Sequence, residues 1–289
     1  MKHLFLPARW RDFSLGAGWM VVAAFFFGLM GVFVKLGSAS LSSSALVFWR
    51  TLIGVLLLGI PALLKGQRFA TPCLRRHIQR GLLAYTSLLL YFYAIAHLPL
   101  ATAVTLNYTS PMFLALLSVV FLREKLSPRA LFALALGFVG VVLLLRPTLA
   151  SDAWLVGLMG LCSGLLAGWS YLHVRELARL GEPEWRIVFY FALIATLGGA
   201  VLVSFEGWQP MDGYTMLMVA GLGITATIAQ LAMTRAYKVG NKLVAANLSY
   251  LTVVFSTLLG VLLWDESLPG TSLSAIILIV ISGMLASRR

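Results

Sequence analysis

Residues 94–126, AIAHLPLATAVTLNYTSPMFLALLSVVFLREKL, lie in register with residues 236–268, AYKVGNKLVAANLSYLTVVFSTLLGVLLWDESL, after a shift of 142 positions and without a gap. Ala94/Ala236, Ala103/Ala245, Leu106/Leu248, Tyr108/Tyr250, Phe113/Phe255, Leu116/Leu258, Leu117/Leu259, Val119/Val261, Glu124/Glu266 and Leu126/Leu268 coincide. Chance supplies leucine matches readily in apolar sequence. It supplies a tyrosine and a glutamate in the same register far less readily. The charge after the shared segment changes from Arg123-Glu124-Lys125 to Asp265-Glu266-Ser267. Loss of the basic residues is expected if the second copy lies upside down in a lipid bilayer, because loops retained in the cytoplasm keep lysine and arginine.

Working outward, the chain of 289 residues is 60% hydrophobic and 11% charged, with mean hydropathy +0.93. A soluble domain carries about a quarter of charged residues, so this composition excludes one. Runs near 20 residues are long enough to cross a ~30 Å hydrocarbon core as helices. Ten are legible: 15–36, 44–64, 79–97, 100–122, 129–146, 154–175, 186–205, 213–234, 243–264 and 269–287. None alternates in hydropathy as a barrel strand does. The expected architecture is all-α: ten transmembrane helices in two inverted five-helix repeats. Residues 1–14 form a cytoplasmic segment, 15–146 the first repeat, 147–153 an outer linker and 154–289 the second repeat.

The net charge of +12 invites a nucleic-acid reading, but its distribution answers it. With both termini cytoplasmic, 19 of the 22 basic residues fall inside, Arg146 falls outside, and Lys35 and Arg50 lie within spans. This is the positive-inside pattern. Five spans per half is an odd number, so the halves must be oppositely oriented. The partners expected are the bilayer and a small solute, with no nucleic acid, and the chain is read as a monomer or homodimer. No cofactor or metal is expected, and no phosphate-binding glycine loop is present to use ATP.

Tyr93-Ala-Ile-Ala-His-Leu-Pro-Leu-Ala-Thr-Ala, Tyr108-Thr-Ser-Pro111-Met-Phe, Leu122-Arg-Glu124-Lys-Leu126-Ser and Phe48-Trp49-Arg50 together resemble the EamA-type domain of the drug/metabolite transporter superfamily. The second copy keeps Tyr250, Glu266 and Leu268 but has Val253 where Pro111 stands. The resemblance covers essentially the whole chain. It implies a helix bundle around a central cavity, alternating access, and residence in the bacterial inner membrane. Members export amino acids and other metabolites, and some import solutes such as S-adenosylmethionine. The function expected is therefore secondary transport, with export of an amino acid or related zwitterionic or anionic solute leading. Import of a metabolite such as S-adenosylmethionine and, behind it, a membrane-embedded lipid-modifying enzyme stand as alternatives. An enzyme needs acids, bases or metal ligands gathered in one place. The sequence offers no such cluster.

Candidate solute ligands follow from cost. A charge inside a membrane is expensive and marks function. Every acid falls in a loop or at a span edge, so Arg50, six residues into its span, has no acid partner there. An arginine in that position suits a carboxylate or phosphate. Tying helix ends or snorkelling to the interface is its structural alternative. A second group is neutral. Thr105, Asn107 and Tyr108 precede Pro111, which leaves a carbonyl without its helical donor, and Asn247 and Tyr250 match them in depth. Trp169 and Gln230 complete the expected substrate-binding set. Pro111, Glu124 and Glu266 are expected to be structural or gating elements. Gly157, Gly160, Gly164 and Gly168 mark a face for close helix packing.

Overall fold

The computed structural model describes residues 8–98, 100–125, 127–145, 153–264 and 272–287, and all of the regular structure among them is helical. In chain order the helices are α1 (Ala8–Gly37), α2 (Ser43–Leu64), α3 (Leu74–His97), α4 (Leu100–Asn107), α5 (Ser110–Leu122), α6 (Pro128–Leu145), α7 (Trp154–Arg179), α8 (Glu184–Glu206), α9 (Gly213–Val239), α10 (Lys242–Leu248), α11 (Leu251–Trp264) and α12 (Ser272–Ser287). Seven stretches are long and apolar enough to cross a membrane, with α4–α5 and α10–α11 each taken as one; a shorter apolar helix covers Pro128–Leu143. The ten-span reading rests on α3, α6 and α12 in addition. The boundary expected at residue 14 is not a break in structure, since α1 begins at Ala8 and runs on. Glu266 and nearly all of the 147–153 linker lie outside the described residues.

Helix starts are set by local chemistry. Ser42, Asp212 and Asn241 each accept a backbone N–H from the first turn of the helix they precede, which satisfies donors that a helix leaves orphaned. Gly181 (φ +84°) turns the chain between α7 and α8 in a conformation that side chains resist.

The packing is two-fold symmetric and runs between the copies. α1 packs on α9 as α7 packs on α3; α1 meets α11 as α7 meets α5; α2 meets α9 as α8 meets α3; and α6–α12 and α2–α8 pair across the axis. Neither half is closed on itself. The exposed residues include many large apolar side chains, among them Leu63, Leu64, Phe205 and Leu217. Such an exterior suits lipid rather than water.

The sequence expects 100–122 and 243–264 as unbroken spans. Both are bent, at Tyr108–Thr109 and at Ser249–Tyr250. In the first copy Pro111 has no N–H to offer the Asn107 carbonyl, and the Thr109 hydroxyl donates to the Leu106 carbonyl at 2.5 Å. The second copy lacks the proline. There the Ser249 hydroxyl donates to the Ala246 carbonyl at 2.7 Å, while Tyr250 N–H bonds Asn247 O and Thr252 N–H bonds Ser249 O, both three residues back. Hydroxyl back-bonding tightens and bends a helix without proline. The first bend sits on the glycine face of α7. A methyl on Gly164 would lie 2.7 Å from the Leu106 carbonyl and against the Thr109 hydroxyl, and one on Gly168 would lie 2.8 Å from the Ser110 carbonyl.

Candidate functional site

Arg50 on α2 is 5% exposed. The helix seats it beside Thr51, whose hydroxyl accepts from Thr196 of α8 at 3.0 Å. Its Nε has no hydrogen-bond partner. A second arginine shares the interior. Arg80 on α3 is 1% exposed; its guanidinium lies over the Phe191 ring at 4.2 Å, and its Nη2 donates to Gln230 Oε1 at 3.3 Å. Its Nε and Nη1 are buried without partners. Both lie against the same stretch of α8 and α9, since Gly54, one turn from Arg50, packs on Ala192 and Thr227, which adjoin the Phe191 and Gln230 that meet Arg80; Tyr171 of α7 is within electrostatic range of both. Tyr171 in turn stacks on Tyr237 of α9 at 5.8 Å.

No carboxylate among the described residues acts on this pair. Among the described residues, the acids stand near helix ends or in loops: Asp12, Glu124, Glu176, Glu182, Glu184, Glu206 and Asp212. Two unneutralised guanidinium groups in a low-dielectric interior are costly, and their spare donors point to a ligand that is acidic.

The sequence places Arg80 with the cytoplasmic basic residues. The structure buries it: Arg80, one turn along α3 from His77, packs against Phe191 of α8 and Gln230 of α9. The signal was legible. His77, Arg80, Ser87 and Tyr91 recur at helical spacing, on the face opposite Arg75. Hydropathy averaging hid it, because one arginine beside a basic loop reads as loop.

The other expected ligands divide. Gln230 holds Arg80. Tyr108, at the first bend, hydrogen-bonds Thr252 and lies within electrostatic reach of Tyr91 and Tyr171, which ties it to the arginine pair. Asn107 donates to Ser163 Oγ at 3.1 Å, and Thr105 is buried beside it on α4. Asn247 and Tyr250 flank the second bend, where Tyr250 lies within electrostatic range of Tyr237. Asn247 accepts from Ser282 of α12 at 2.9 Å. The Tyr250 ring is buried among Leu134, Val141 and Ile279, close to Gly137, and its hydroxyl has no partner. The matched depth of the two tyrosines is therefore not matched surroundings. Trp169 stacks on Phe121, a ring 58% exposed, at 5.6 Å. It is two residues from Tyr171, hence about 200° away around α7.

One end of the bundle is held by ion pairs. Glu124 follows Arg123, whose φ of +49° ends α5 in a left-handed cap. It meets Arg175 at 2.9 Å, Arg179 at 3.7 Å and Lys242. Glu184 meets Arg235 at 2.9 Å and Lys238 at 3.2 Å. Glu182 meets Arg186 at 3.0 Å, accepts from Thr71, and faces His77 at 3.4 Å. The fold thus gives His77 an acid and the Tyr190 ring at 4.6 Å. Burial lowers the His77 pKa, against the opposing pull of Glu182. Burial alone would raise the Glu182 carboxyl, but Thr71, Arg186 and His77 together hold it below the usual range. Pro111 is buried at the start of α5.

Two copies of one apolar helical unit, bent at equivalent places around a polar interior, define a duplicated multi-pass membrane transporter. The EamA-like transporter family matches residues 14–146 and again 154–288. The chain belongs to the EamA-like transporter family. The pseudopaline exporter CntI of Pseudomonas aeruginosa (strain UCBPP-PA14) is 31% identical over 269 residues, which cover 93% of this chain and 94% of that protein. A riboflavin transporter of Vibrio cholerae serotype O1 is 27% identical over 278 residues, 92% of this chain and 91% of that protein. A crystal structure 23% identical in sequence has the same fold, with a TM-score of 0.83 over 95% of this chain and 96% of the other.

Proposed function

We propose that this transporter exports a small carboxylate-bearing metabolite, amino-acid-like in size, across the bacterial inner membrane by alternating access. The carrying observation is Arg50: buried, with a free donor and no acid facing it. Export is supported by the exporter name of the Pseudomonas relative. Ten spans in inverted halves, both termini cytoplasmic, and a monomer or homodimer complete the reading. The gathering of ion pairs at the end where Gly16 of α1 meets Gly240 supports that end as the cytoplasmic one. Arg50, Thr105, Asn107, Tyr108 and Gln230 are assigned to the solute. Glu124, bonded across the copies to Lys242, is assigned to the closed gate, with Glu266 as its counterpart in the second repeat.

A second reading has its own observation. Tyr91, Tyr108 and Tyr237 gather around Tyr171, which is within electrostatic range of the arginines, and an aromatic wall suits a solute with a planar ring, as the name of the Vibrio relative supports.

Counterflow in proteoliposomes tests both. Vesicles preloaded with one unlabelled solute accumulate the same labelled solute if the protein carries it. Amino acids and small carboxylates are expected to accumulate, and Arg50→Ala is expected to abolish it. Accumulation of organic cations alone sinks the proposal.

A further inference from the structure

We infer that the transported solute carries two negative charges, which Arg50 and Arg80 take together. The inference rests on the transport reading above and narrows it.

The argument is one of charge. Arg50 and Arg80 come from different helices, both are buried, and both lie against the same stretch of α8 and α9: Arg80 meets Phe191 and Gln230, and Gly54, one turn from Arg50, meets Ala192 and Thr227. Among the described residues, no carboxylate neutralises them. Phe191 gives Arg80 a ring face, and Gln230 gives it one neutral carbonyl oxygen. These contacts fix its position and leave its charge. Three buried donors, Arg50 Nε and Arg80 Nε and Nη1, remain unpartnered. A neutral zwitterion entering this space brings an ammonium toward two guanidinium groups, and like charges repel strongly where the dielectric is low. A monoanion matches one arginine and leaves the other exposed to the same cost. A dianion matches both. Either a dicarboxylate or a phosphate monoester has this chemistry, since arginine forks onto both kinds of oxygen. The arginines at the ion-paired end each meet a carboxylate; among the described residues, Arg50 and Arg80 meet none.

The test is a counterflow panel at fixed pH 7.5 and ionic strength with four probes: succinate, glycerol 3-phosphate, lactate and leucine. Wild-type protein is expected to accumulate at least one dianion with a half-saturating concentration at least ten-fold below that of lactate or leucine. The better dianion identifies carboxylate or phosphate as the recognised group. Arg80→Gln is expected to erase the preference, weakening the dianion ten-fold or more while leaving lactate nearly unchanged. Arg80→Lys keeps the charge and is expected to retain the order of preference, which separates lost charge from lost fold. Lactate or leucine carried as well as either dianion by wild type, and lost on Arg50→Ala, overturns the dianion while leaving transport through Arg50 in place. Equal weakening of every probe by Arg80→Gln also overturns it. Silence of all four in folded wild-type protein overturns both readings.

Discussion

The interior and the ion-paired end hold the same kinds of cation in opposite circumstances. At the end, Arg175, Arg179, Arg186, Arg235, Lys238 and Lys242 each face a carboxylate on another element or another turn. In the interior, Arg50 and Arg80 face none. Acids are at hand where the pairs form, and among the described residues none meets the two interior arginines. A molecule that keeps uncompensated charge in its most costly location has left that compensation to something that arrives and departs. The contrast separates charge that shapes the fold from charge that meets the solute.

The largest effect that tests this contrast is at Arg50. Arg50→Ala is expected to cut counterflow about 100-fold, on the scale of a lost charged hydrogen-bond partner, with the melting temperature of the detergent-solubilised protein moving by no more than about 3 °C. Unfolding of that variant would place Arg50 with the structural cations. The ion-paired end should respond the other way. Glu124→Gln leaves Lys242 and Arg175 without their acid, and is expected to cost about 1–2 kcal/mol, discounted for partial exposure, read as a fall of about 2–8 °C. Adding Lys242→Met to Glu124→Gln is expected to regain most of the loss, because removing both charges leaves less uncompensated. A fall that persists in the double variant breaks the comparison.

Acid should loosen the same end in two stages. The folded pKa of His77 is below its ordinary value of 6.5, so its contribution is full above that value and fades as pH falls below it. Glu182 is also held below its ordinary value, 4.5, so its contribution fades only as pH falls below that. Melting temperature should therefore decline from pH 6.5 downward and again below 4.5. His77→Gln should flatten the first stage alone; an unchanged profile would remove His77 from the account. The smallest effect concerns the two tyrosines. Tyr108→Phe gives up its bond to Thr252, about 1 kcal/mol, with reduced flux. Tyr250→Phe removes a hydroxyl that has no partner and is expected to leave stability unchanged or slightly raised. Equal loss from both would restore the symmetry that their surroundings deny.

Much of the fold was legible because its determinants are periodic. Apolar runs show the helices, and the Tyr108/Tyr250 and Glu124/Glu266 matches show the duplication. The α7 glycines show a close contact without showing what fills it. The bend at Ser249 was not legible, since serine and threonine back-bonding depends on which rotamer the packing selects, whereas Pro111 announces its bend in any context. Arg50 stood out by lying mid-run. Arg80 did not, because only its side of α3 faces inward, and that depends on α8 and α9 arriving from more than 100 residues away. For the same reason Asn247 and Tyr250 looked equivalent to their partners: depth is written in sequence, and neighbours are not.

The seat of the bent helix bears on how such a protein changes over generations. One copy supplies the bend, and the other supplies Gly160, Gly164 and Gly168 to receive it. A mutation on either side is judged by the surface of its twin, so the two copies, though once alike, have been inherited as a single constrained object. Their drift apart, as in Val253 for Pro111, is permitted only where the fit survives. Arg50 and Arg80 escape that bond, for the middles of α8 and α9 carry no arginine to match them. New solute preferences therefore have a place to arise, in residues that owe nothing to the ancestral symmetry.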